Sequence, residues 1–273
     1  MMIDSLMTQI MQFLNSLEIK DTEHKKVRVG PKFDGGYVLL EKFLLEDKNL
    51  ISIGIGNDVA FDLEFRKANN HAKIYLFDNT SSIKIKQKNF FFSKNNIGIV
   101  TNKKEKIIGI NDLLKKFNES ITLKMDIEGN EWSVLEVLDK KFFELISQMV
   151  IEFHIIHIDI VEKFLAKKYS PYFTKFYINN YKLINQSLFE KYYRVINKLK
   201  EYFYITHIHP NNSIKKIKIG QYSIPPLLEI SFVNKKLVSN VEKTKNRYPM
   251  KNLDFQNKLD REDIKNFYPF IKK

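Results

Sequence analysis

A chain of 273 residues with 44% hydrophobic content is long enough for one large domain with appendages or two small ones, which sets intrinsic disorder aside. The absence of cysteine excludes a disulfide framework, thiolate metal clusters and a cysteine nucleophile, and fits a reducing, cytoplasmic setting. A formal charge of +13 accompanies abundant Asn, Ile, Phe and Tyr, as AT-rich codons produce, and its lysines are scattered among acidic residues, so no nucleic-acid partner is expected.

The predicted elements begin with an amphipathic helix. Ile3, Met7, Ile10, Met11, Leu14 and Leu17 recur at helical spacing after a capping Asp4 or Ser5, which reads as a helical N-terminal extension over residues 1–26. Asp4 stands where a secretory signal would carry Lys or Arg, and no apolar run is long enough for a transmembrane segment. The middle of the chain then alternates strands (50–54, 73–77, 97–101, 122–125, 148–153) with helices (60–69, 110–117, 131–143). Trp132, Leu135, Leu138 and Phe142 mark one face of the third helix. This alternation predicts an α/β domain around a mainly parallel sheet. Residues 159–200 break the pattern and read as a helical insertion or lid, with a helix over 188–199. Strands resume at 201–208 and 227–233, an antiparallel hairpin that closes one edge of the sheet. Residues 1–240 thus read as one Rossmann-like domain and 241–273 as a surface tail with a short helix near 261–267.

Two segments carry chemistry. In ISIGIGNDVAFD (residues 51–62), Gly54 and Gly56 follow a strand, where an open α/β sheet brings its backbone close to a ligand and the next helix turns its N-terminus toward it. Ala60 and Phe61 stand where a dinucleotide turn needs space, which argues against a nicotinamide cofactor. Asp78 ends the next strand, the place from which a carboxylate reaches adenosine ribose hydroxyls. In LKMDIEGNEWSVL (residues 123–135), Asp126 and Glu128 arrive at the same edge of the sheet, while Glu131 opens a helix whose dipole favours an acid. Asp34, Gly35, Gly36 and Tyr37 form a further turn, read either as a close approach to a ligand or as a plain hairpin.

The run KMDIEGNEWSVL resembles the signature of the FkbM family of methyltransferases, in which a strand ends in a K-x-D-x-E-G-x-E pattern. RVGPKFDGGYVLL (28–40), IEFH (151–154), HIHPNN (207–212) and IPPLLEISF (224–232) look like further pieces of the same family, in the expected order. The resemblance implies a class I methyltransferase fold with an antiparallel edge strand, S-adenosylmethionine as methyl donor, and O-methylation of a sugar or small metabolite. Under it, Gly35, Gly36, Tyr37, Gly54, Gly56, Asn57, Asp58, Asp78 and Asp126 are expected to hold the donor. Ser52 stands where methyltransferases commonly carry an acid, leaving Asp58 or Asp34 as substitutes for contact with the methionine amino group.

Methyl transfer is an in-line displacement at a sulfonium carbon, so the enzyme must align nucleophile, methyl and sulfur in a dry site. A sugar hydroxyl is a poor nucleophile at neutral pH and calls for a general base. Of the six histidines, His154 ends the strand beside Asp126 and is the expected base, oriented by Glu128, with Asp126 completing the catalytic group. His207, His209, Asn211 and Asn212 are expected on the substrate side, although His-Pro-Asn-Asn is also ordinary turn chemistry. Asp126, Glu128, His154 and His209 have the donor types for a divalent cation, but no spacing demands one and no metal is expected. The expected acceptor is a small molecule, sugar nucleotide or glycan of a bacterial capsule or surface-polysaccharide precursor. The alternatives are transfer to a phosphate-linked group or amine, and a non-catalytic nucleic-acid-binding module. The last has no use for Asp78, Asp126 and Glu128 on a phosphate-binding surface.

Overall fold

Every second side chain along the middle strands is apolar on one side and apolar or polar on the other, so each strand buries two faces and the sheet needs a layer on both sides. The computed structural model describes residues 2–155, 186–219 and 222–264. Its first elements are α1 (Met2–Ser16), β1 (Lys20–Asp21), β2 (Lys26–Val29), β3 (Tyr37–Leu40), α2 (Glu41–Glu46), β4 (Asn49–Ile53), α3 (Ala60–Ala68) and β5 (Lys73–Phe77). They continue with β6 (Phe90–Ser93), β7 (Asn96–Gly98), β8 (Ile107–Gly109), α4 (Ile110–Leu114), β9 (Ile121–Met125), α5 (Glu131–Val137), a 3-10 turn (Lys140–Glu144) and β10 (Ile146–His154). The last are α6 (Gln186–Tyr202), β11 (Phe203–Pro210), β12 (Ile217–Ile219), β13 (Tyr222–Ile224), β14 (Leu227–Asn234), a 3-10 turn (Lys235–Leu237) and β15 (Glu242–Lys243).

Seven strands form the central sheet in the order β11-β14-β10-β9-β4-β5-β6. All run parallel except β14, which lies antiparallel between β10 and β11. This is the expected mainly parallel Rossmann-like sheet, closed at one edge by the β11–β14 hairpin. Ile51, Ile53, Leu123, Met125, Met149, Ile151 and Phe153 join α1, α4, α5 and α6 in the larger core. Leu50, Ile74, Leu76 and Val150 point to the other face, toward α3 and the β2–β3 hairpin.

Several expectations shift in detail. Helix α1 starts at Met2, ahead of Asp4 and Ser5; Met11 is exposed, and Phe13 takes the inward position instead. The predicted strand over 97–101 shrinks to β7, which pairs with β8 outside the main sheet, and the unpredicted β6 takes the outer sheet position. Helix 131–143 breaks at Leu138, whose backbone is extended, and Lys198 then donates to the carbonyls of Leu135, Glu136 and Leu138. The second half of the expected insertion is no lid: in α6, Phe189, Tyr192, Val195, Ile196 and Leu199 are buried, while residues 159–185 lie outside the described residues. The expected helix near 261–267 is absent over 261–264, and 265–267 lie outside the described residues. The tail is not loose surface either, because Asp254 and Asn257 bury their side chains against the sheet. No helix among the described residues is long and apolar enough to cross a membrane.

Candidate active site

Parallel strands deliver their C-terminal ends to one edge of a sheet, and a cleft of about 1010 Å³ opens there. Its floor begins at the glycine turn. Gly54 has φ +74°, and a Cβ there would sit 1.6 Å from the Asp126 carbonyl oxygen, so only glycine lets β4 and β9 end side by side. Gly56 has φ +54°, a Cβ added to it would meet no atom within 4 Å, and its open side faces the cleft. Its N–H donates to Asp78 Oδ2 at 2.8 Å, which ties the turn to the end of β5. Asp78 Oδ1 accepts from the Thr80 N–H, the Thr80 hydroxyl and the Ser81 N–H. Burial alone would raise this carboxyl, but those hydrogen bonds hold it below its ordinary value.

A second group gathers where β9 and β10 end. The chain after Asp126 turns through Glu128 at φ +57°, a conformation that side-chain-bearing residues rarely adopt. That turn brings Glu128 within 3.2 Å of His154 Nε2, as expected from the sequence. Glu131, fully buried, accepts from the backbone N–H groups of Ile127 and Gly129 and lies 3.1 Å from His154 Nδ1. Beneath them Trp132 stacks on Tyr192 at 3.9 Å and donates to the His154 carbonyl, so aromatic packing fixes the end of β10. Desolvation would lower the imidazole pKa, but the carboxylates of Glu128 and Glu131 push it up to about 11. His154 therefore holds its proton at neutral pH with both ring nitrogens engaged. A ring held between two carboxylates in this way has no free nitrogen with which to accept a proton, as the expected general base would need.

Asp126 lies beside it in the cleft. Burial first, with Glu131 and Glu128 adding to it against Lys124 and His154, pushes its carboxyl up to about 6. Glu152, buried on β10, accepts from Asn211 Nδ2 at 3.2 Å and lies 3.3 Å from the Tyr37 hydroxyl. Its carboxyl is pushed well above the ordinary range by burial and by Asp126 and Glu229. Asp126, Glu152 and His154 place donor atoms within 4.8 Å of one another, the only such group of three among the described residues. A cation there would have to compete with Glu128 and Glu131 for His154.

Of the other residues expected to hold a donor, Gly35, Tyr37, Asn57 and Asp58 line the cleft. Gly36 does not: a Cβ there would lie 2.0 Å from the Pro31 carbonyl and against Arg28, so it is a packing glycine. On the expected substrate side Asn211 lines the cleft, but His207, His209 and Asn212 are buried away from it. His207 Nε2 lies 2.6 Å from Asp254, and His209 Nδ1 lies 3.1 Å from Glu229. Asn212 donates to the carbonyls of Lys258 and Arg261 and accepts from Lys258 N–H. His207 and Asn212 hold the C-terminal tail against the sheet, while His209 pairs with Glu229 on the neighbouring strand β14, and the tail brings Lys258 to the cleft wall.

Sequence reasoning missed Asp62, Lys124 and Glu152, all of which line the cleft. Strand alternation was the available signal: Ser52, Lys124 and Glu152 are polar residues on strands whose neighbouring positions are core.

The model of one family, described as the methyltransferase FkbM domain, matches residues 12–205. No curated protein sequence matches the chain. Among solved structures, a Methanococcus jannaschii fibrillarin pre-rRNA processing protein is similar at a TM-score of 0.35 and 9% identity, covering 78% of this chain and 83% of that one. Likeness at that level decides nothing, and the fold rests on the strand order described above.

Proposed function

Because this chain belongs to the FkbM-domain methyltransferases, we propose that it moves the methyl group of S-adenosylmethionine to a hydroxyl of a sugar or sugar nucleotide, as in a bacterial capsule or surface-polysaccharide precursor. The observation that carries the donor half is the meeting of the open Gly56 turn with Asp78 in one cleft. Asp78 Oδ2 accepts the Gly56 N–H and keeps a lone pair for a ribose hydroxyl, while Oδ1 is filled by Thr80 and Ser81. Ile97, Ile99, Val100 and Ile107 line the cleft as an apolar wall that suits a flat base. When bound, the donor supplies a methyl on a sulfonium, which needs alignment more than activation.

The chain's own contribution is then to the acceptor. A hydroxyl placed against Asp126 would give its proton to that carboxylate as the O–C bond forms and the methyl's S–C bond breaks, the donor leaving as a neutral thioether. A base with a pKa of about 6 is ionised at neutral pH yet basic enough to accept. In this reading His154 is a fixed cation that positions Asp126, with Glu128 and Glu131 locking the imidazolium in place. Lys258 and Asn211 flank the same space, and the lysine charge suits a phosphate-bearing acceptor.

Calorimetry with S-adenosylhomocysteine on the wild type and on Asp78→Asn tests the donor half. Binding by the wild type that weakens in the variant is expected, and no binding by the wild type overturns the reading. Product analysis with isotopically labelled methyl donor and sugar nucleotides tests the acceptor half, which fails if label appears on nitrogen or phosphate oxygen.

A further inference from the structure

Among the described residues the cleft wall carries three basic side chains, and two of them are engaged within the protein. Lys124 donates to the Gly54 carbonyl, and His154 stands between Glu128 and Glu131. The ammonium of the third, Lys258, forms no ion pair with the described residues. Lys258 comes from a segment beyond residues 12–205, the stretch that the family model matches. Its backbone is nevertheless clamped to the sheet. Buried Asn212 donates to the Lys258 carbonyl at 2.9 Å and accepts the Lys258 N–H at 2.8 Å. One residue earlier, buried Asn257 donates to Asp34 at 3.1 Å and to Glu229 at 2.8 Å. Asp34 also accepts from Asn211, which reaches Glu152 in the cleft. A backbone held on both sides leaves only the lysine side chain to be ordered when a ligand binds. Ser213, directly after Asn212, lines the same cleft, and its hydroxyl has no hydrogen-bond partner.

We propose that Lys258 binds a phosphate group carried by the acceptor, so that the tail, and not the matched domain, selects phosphorylated sugars over neutral ones. The inference rests on the acceptor reading above and narrows it. A neutral sugar needs only hydrogen-bond partners, and Asp34, Asn211 and Glu152 already supply them along the cleft. A lysine ammonium is a strongly hydrated point charge, and it gains most from an anion. Phosphate oxygens accept from it as charge-assisted hydrogen bonds, with the Ser213 hydroxyl a second donor at the same wall. Discrimination of this kind is a difference in affinity between two sugars that fit the same space, and one unpaired cation produces it.

Calorimetry on full-length protein saturated with S-adenosylhomocysteine measures the binding of inorganic pyrophosphate. It compares the wild type with Lys258→Gln, Lys258→Arg and Lys251→Gln, the last an exposed tail lysine that does not line the cleft. Binding by the wild type, about 10-fold weaker binding by Lys258→Gln and little change in the other two are expected. No pyrophosphate binding by the wild type, or an unchanged affinity in Lys258→Gln, overturns the proposal. An equal loss in Lys251→Gln overturns it too, because a diffuse positive field would then account for the binding. Transfer of labelled methyl to sugar nucleotides separates an acceptor's phosphate from a free anion. Pyrophosphate should compete with the sugar nucleotide, and Lys258→Gln should raise the KM of that acceptor about 10-fold. Inhibition that is not competitive, or none at all, overturns the proposal. A wild type that does not bind S-adenosylhomocysteine refutes the donor reading. One that binds it but labels no sugar nucleotide refutes the acceptor reading, and this proposal with it, an outcome distinct from failure at Lys258.

Discussion

Replacing Glu131 by Gln tests the central physical claim about the site, that a buried imidazolium is held by two carboxylates. Glu131 accepts from Ile127 N–H at 2.7 Å, from Gly129 N–H at 2.9 Å and from His154 at 3.1 Å. Glutamine keeps the shape, and its carbonyl still serves the two backbone donors, but the charge facing His154 is gone. Removing one partner of a buried ion pair costs about 3–5 kcal/mol, and the retained backbone contacts put this case near about 3 kcal/mol. For a chain of this size that is a fall in Tm of roughly 6–12 °C. The imidazole titrates near 6.5 when unfolded and at about 11 in the fold, so the stabilisation it gives is complete below 6.5 and drains away as pH rises toward 11. Urea unfolding of wild type and variant at several pH values should therefore show a gap that is widest near neutrality and narrows in alkali. A gap under about 1 kcal/mol at pH 7, below any buried-pair loss, or one that does not narrow, would refute the reasoning.

Other consequences can be measured separately. Gly54→Ala should abolish folded yield, since the new methyl overlaps the Asp126 carbonyl; Gly56→Ala should cost only the roughly 1–2 kcal/mol of a left-handed alanine while weakening S-adenosylhomocysteine, read by thermal shift and calorimetry. With Asp126 as base, turnover should climb with pH through about 6 and level off above it, and Asp126→Asn should lower kcat by about 10²–10⁴. A pH profile that instead follows a histidine-like group near 6.5 after Asp126→Asn would contradict this. Asn212→Ala removes the amide that binds the tail at Lys258 and Arg261. Limited proteolysis should then cut residues 245–264 faster, and the acceptor KM should rise with little change in kcat; equal proteolysis rates would count against the tail's role.

Much of this architecture was legible in one dimension because it is local. A strand ending in a glycine turn, and a strand ending in Asp126, reach the same edge of a parallel sheet whatever else the chain does. The turn at Gly54 and Gly56, Asp78 and the KMDIEGNE run were found that way, and the structure brings them into one cleft. Hydrophobic spacing found β5 residue for residue and located α3 and α6 to within a turn. It missed β6, whose apolar run FFFS is short and lies between lysines and asparagines.

What spacing along the chain cannot convey is which charges meet. His154 looked like a base because a lone histidine at a strand end titrates near neutrality; Glu128 and Glu131 converge on its two nitrogens only because a left-handed turn folds the chain back over β10. His207 and Asn212 read from the sequence as substrate ligands, but a tail more than forty residues away along the chain binds them, and His209 is buried against Glu229 of β14. The sequence alone determined the strands that make the sheet and the edge at which the cleft opens, since alternation and glycine turns act between near neighbours. Tertiary structure decided which carboxylates meet the two nitrogens of His154 and which charges surround Asp126, because desolvation and Coulomb interaction depend on distances in space and not on separation along the chain.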